Sequence, residues 1–147
     1  MLLPLVIGTL TIFVNMLVQV LAVVILIQFF VNRRSRNLKT GTILSDMWIL
    51  AFALIVLFAG NIFQFVIWAS LFMYLGEFQD FATAFYHSTV NFASLGYGDI
   101  VMSEQWRLLG ALEEANGVLM FGLTAGTMFS IMQSMVRQHQ PADTPAQ

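Results

Sequence analysis

An all-α membrane protein with three transmembrane helices is predicted for this chain by its composition and its apolar segments. Hydrophobic residues make up 59% and charged residues only 10%, where a soluble domain carries about a quarter charged. Three apolar segments each exceed the roughly 20 residues that cross a bilayer as a helix. The chain has no cysteine, which excludes disulfides and thiolate metal sites. A formal net charge of -2 is too small to attract nucleic acid, so no such partner is expected.

The first segment, Met1 to Val31, is interrupted by Pro4, Asn15, Gln19 and Gln28. It lacks a basic start and its apolar run outlasts that of a signal peptide, so a retained helix is expected. A basic link over 32–42 follows, with Arg33, Arg34, Arg36 and Lys39. The second span runs from Ile43 to Leu75, with Asp46 near its start and Asn61 and Gln64 deeper in. Phe81 to Phe92 is too short to cross and reads as a re-entrant helix, with Asp80 available as N-cap. Trp106 to Val136 is the third span. The polar residues 137–147, with Pro141 and Pro145, are expected to be disordered.

Orientation follows from charge. Four of the six basic residues sit in the first link, which the positive-inside rule places in the cytoplasm. The N-terminus is then external and the C-terminus cytoplasmic. Glu77, Asp80, Asp99 and Glu104 fall on the outer side.

Between the short helix and the last span stands Ser94-Leu95-Gly96-Tyr97-Gly98-Asp99. Glycines at 96 and 98 can take left-handed backbone angles that aim successive carbonyls the same way. Such carbonyls can replace the water that a dehydrated K⁺ ion loses. The segment resembles the potassium-channel signature Thr-Val-Gly-Tyr-Gly, and residues 43–136 resemble the pore domain of that family, in a three-span subunit of bacterial type.

The resemblance implies that K⁺ binds the backbone carbonyls of Ser94, Leu95, Gly96 and Tyr97 and the Ser94 hydroxyl. Leu95 and Tyr97 would brace the loop, and Asp99 would tie its outer end to the short helix. Tyr86 and His87 stand where the family often has paired tryptophans, so Tyr86 is expected to support the filter with Gly98 and Asp99. Val90 occupies a position where some members carry a glutamate clamp. Through Trp106-Arg107-Leu108 and Phe121-Gly122, Gly117 falls at the family's gating hinge, and Val118, Phe121 and Ala125 face the cavity.

Glu113 and Glu114 lie inside the last span, where a carboxyl group is costly and marks a functional position by default. Glu114 is expected to hydrogen-bond behind the filter, to Ser88, Asn91 or backbone, while Glu113 turns toward another helix. The alternative is that both reach water near the outer interface. The resemblance implies passive K⁺ conduction by a homotetramer in the lipid of a bacterial inner or plasma membrane, with K⁺ ions the only cofactor. Two other readings stand beside it: a less selective cation channel, given Ser94, and a membrane enzyme using Glu113, Glu114 and His87.

Overall fold

The computed structural model describes residues 2–35 and 43–139. They form four helices: α1 (Leu2–Ser35), α2 (Ile43–Tyr74), α3 (Phe81–Phe92) and α4 (Arg107–His139). Helices α1, α2 and α4 are long and apolar enough to cross a membrane, whereas α3 has 12 residues. Helix α1 runs past its expected end at Val31 to Ser35, so that Arg33 and Arg34 of the expected basic link belong to its last turns. Residues 36–42, with Arg36 and Lys39, lie outside the described residues, as does the expected tail beyond His139. Within the described part, α4 runs past the expected end at Val136 to His139. Arginine and glutamine are good helix formers and prolong the last turns.

Two apolar clusters fix how the long helices run. One joins Ala22 and Leu26 of α1 to Ile49, Ala53 and Leu57 of α2 and Ile131 and Met135 of α4. These belong to the C-terminal halves of α1 and α4 and the N-terminal half of α2, so α2 is antiparallel to the other two. The second cluster, at the opposite end, gathers Phe65, Trp68 and Phe72 of α2, Phe92 of α3, and Leu109 and Met120 of α4. Helix α3 is therefore held inside the apolar wall at one end of the three-helix frame.

Local chemistry sets where α3 begins. Helix α2 closes with Gly76 at φ +78, its N–H donating to Met73 O and the Glu77 N–H to Phe72 O, both at 3.0 Å. This paired bonding is the Schellman arrangement, which needs a left-handed residue. Asp80 then caps α3 by accepting from the Thr83 N–H at 3.0 Å. The Glu77 carboxylate reaches across to Ser103 before α4, accepting from its N–H at 2.8 Å and its hydroxyl at 2.6 Å. It straps together the two loops that flank the 94–99 segment.

Candidate functional site

The C-terminal end of α3 turns directly into the 94–99 segment. Ser94 N–H donates to Asn91 O at 2.8 Å and Leu95 N–H to Val90 O at 3.0 Å, the same paired bonding that ends α2. Here the left-handed position is filled by Ser94, at φ 55. A β-branched threonine would be strained at that angle, whereas serine carries less bulk on its Cβ. Sequence reasoning located the hydroxyl but missed the backbone reason for serine.

Gly96 and Gly98 continue the pattern at φ 60 and φ 70. Leu95 and Tyr97 between them keep negative φ, because Ser94 is the one non-glycine residue with positive φ among the described residues. Positive φ at every second residue turns alternate peptide planes, which lets like backbone groups project to one side. An added Cβ at Gly96 or Gly98 meets nothing within 4 Å. Glycine is required there by backbone angle and not by space.

Helix α3 supports this segment on two sides. Tyr86 Oη donates to Asp99 Oδ2 at 2.8 Å, joining the helix to the outer end of the segment. That hydrogen bond to the acid, with a smaller contribution from desolvation, raises the Tyr86 pKa above its ordinary value and keeps the proton in place. His87 packs edge-on to Phe72 and against Phe78, with ring centroids 5.6 and 5.0 Å apart. Burial lowers the His87 pKa, opposed by contact with the Ile100 backbone and by the charges of Asp99 and Glu77. Its Nε2 lies 2.9 Å from Asn91 Nδ2.

Behind α3, Ser88 is fully buried, with Phe65 O at 3.1 Å from its hydroxyl. Its second partner is the Glu113 carboxyl, not that of Glu114 as the sequence reading expected. Neighbouring helix positions diverge by about 100°, so only one acid can share the buried face of Leu109, Asn116 and Met120. That acid is Glu113, with no exposed surface. Glu114 is half-buried in the lining of a cleft with His87, Val90, Asn91 and Gly96. Glu113→Ala, which removes one of the two partners of the Ser88 hydroxyl and leaves a gap in the buried face, is expected to destabilise the folded protein by about 1–3 kcal/mol. Glu113→Gln should retain most of that stability, and Glu114→Ala should cost less than Glu113→Ala. Thermal unfolding in detergent checks the order, and an equal loss at Glu114 would contradict it.

On α4, Gly117 is in closest approach to α3: a Cβ there would lie 1.8 Å from Phe92 O. The helix runs unbroken through this position. Val118, Phe121 and Ala125 form an exposed strip beyond it, with Phe121 edge-on to Phe92 at 5.6 Å. Leu95 and Tyr97 are 52% and 65% exposed, so the chain itself leaves them largely uncovered.

A family model described as an ion channel matches residues 48–134, which take in most of α2, all of α3 and the 94–99 segment, and most of α4. No curated protein and no solved structure matches the chain. With its three apolar helices, the chain is a multi-pass membrane protein.

Proposed function

Because the chain belongs to the two-transmembrane potassium-channel pore-domain family, we propose that it conducts K⁺ selectively and passively through a filter formed by four copies of residues 94–98. The positive φ at every second residue, Ser94, Gly96 and Gly98, carries this reading, since such alternation would aim successive carbonyls to one side of the segment. The carbonyls of Ser94, Leu95, Gly96 and Tyr97 and the Ser94 hydroxyl would replace the hydration shell of the ion. One segment is a quarter of the ring, so the working unit is a fourfold homotetramer. The exposure of Leu95 and Tyr97 on one subunit supports packing against neighbouring copies.

In this arrangement α3 is the re-entrant pore helix, with the partial negative charge at its C-terminus turned to a cation in the cavity. Val118, Phe121 and Ala125 line that cavity, and Gly117 is the position at which α4 would bend. Lipid surrounds the assembly, with the Arg33–Lys39 link cytoplasmic and the N-terminus external.

Purified protein reconstituted into liposomes with an outward K⁺ gradient is expected to release K⁺, with a reversal potential that follows K⁺ over Na⁺. A reversal potential indifferent to exchange of K⁺ for Na⁺ would favour a non-selective cation channel. Absence of cation flux from folded, reconstituted protein would remove the channel reading.

A further inference from the structure

Gln19 stands on α1, which the family match leaves out, and it is hydrogen-bonded to two other helices at once. Its Oε1 accepts from Gln64 Nε2 on α2 at 2.8 Å. Its Nε2 donates to Thr124 Oγ1 on α4 at 2.9 Å. Both glutamines have no exposed surface. The bonds run in one direction, from the α2 amide through the α1 amide to the α4 hydroxyl.

The surrounding backbone is built to let this happen. Gly60 of α2 lies beside the amide, and a Cβ there would sit 3.3 Å from Gln19 Oε1. Further along, a Cβ on Gly8 of α1 would come within 2.4 Å of Leu112 Cδ1 on α4. Small residues at such points let membrane helices approach closely, and polar side chains then join them. A glutamine amide in an apolar interior is costly unless paired, and Gln19 uses both ends of its amide.

The place where the chain of bonds ends on α4 gives it meaning. Thr124 lies between Gly122 and Gly126, around whose Cα atoms the subunit leaves open space. It is also next to Ala125, on the exposed strip already placed along the cavity. Toward the filter, α4 is held by the approach of Gly117 to the Phe92 carbonyl. Toward the other end, Ile131 and Met135 pack on α1 and α2 through apolar contacts, which tolerate sliding. The Gln19–Thr124 bond does not, because a hydrogen bond fixes register and rotation.

We propose that α1 is a gating element of the pore, and that Gln19 is a positioning residue that holds the cavity-lining stretch of α4 in register with α2. This rests on the channel reading above. The apolar contacts keep α1 attached while the amide selects one of the positions that α4 can adopt. Gln19 thus acts on how often the pore is open and leaves the filter unchanged.

The test is K⁺ flux and reversal potential in liposomes carrying equal amounts of the full-length wild type, Gln19→Leu, Thr124→Val and the double variant. Thr124→Val removes the acceptor at nearly constant volume, so it keeps the test available if Gln19→Leu folds poorly. Each single variant is expected to change flux by about threefold to tenfold, the scale of one hydrogen bond between membrane helices. The preference for K⁺ over Na⁺ should stay at its wild-type value, and the double variant should match the stronger single variant. Wild-type flux in both single variants, independent effects that multiply in the double variant, or a changed ion preference would each overturn the latch. Wild-type liposomes that pass no cation would remove the channel reading and the latch with it. Normal wild-type flux that the variants leave untouched would remove the latch alone.

Discussion

Replacing Gly98 with alanine is expected to abolish discrimination between K⁺ and Na⁺, or conduction altogether. Gly98 sits at φ 70, where an L-residue with a Cβ costs about 1–2 kcal/mol. In a fourfold filter the same strain is imposed four times on one ring, or roughly 4–8 kcal/mol against the native backbone. The cheapest relief is rotation of the peptide plane, which takes a carbonyl out of the row. No steric explanation competes within the subunit, because a Cβ at Gly98 meets nothing within 4 Å. Gly96→Ala should behave alike, since Gly96 has φ 60 and the same open surroundings. Reversal potentials in mixed K⁺ and Na⁺ are the measurement. An unchanged ion preference in Gly98→Ala would mean that the filter is not at residues 94–98.

The parts of this protein that were legible in the sequence are those set by local chemistry. Helix α3 spans Phe81–Phe92 with Asp80 as its cap, because an N-cap, a short apolar-aromatic run and a glycine-rich exit are written in consecutive residues. The three long helices follow from length and hydropathy in the same way. The assignment between Glu113 and Glu114 was not legible, because two adjacent acids differ only in which way the helix face turns. That choice is made by α2 and α3, through Phe65 O and Ser88. Gln19 was visible as a polar interruption, but its partners lie 45 and 105 residues away, and no spacing rule reaches so far. Ser94 was read through its hydroxyl, while its backbone angle depends on how α3 ends.

Gly117→Ala should separate two uses of one glycine. A Cβ at this position would lie 1.8, 2.7 and 3.0 Å from the O, C and Cα atoms of Phe92. All three are backbone atoms, so no flexible side chain can give way, and α4 must withdraw from the end of α3. That end is packed by Phe65 and Phe121, whose rings lie 4.9 and 5.6 Å from Phe92, and it leads straight into Ser94. The expected result is overpacking at a cost of about 1–3 kcal/mol per subunit, with loss of conduction because the base of the filter moves. A glycine needed only for bending predicts the opposite change in stability. Alanine favours a helix over glycine by about 1 kcal/mol, so a pure hinge would stiffen and stabilise while gating was lost. Gly122→Ala supplies the comparison, since the subunit leaves open space there and only the helix-favouring term applies. Thermal unfolding beside K⁺ flux reads both quantities on the same preparations. A Gly117→Ala protein that unfolds at or above the wild-type temperature would rule out close packing on Phe92 as the reason for glycine, and leave bending as its role.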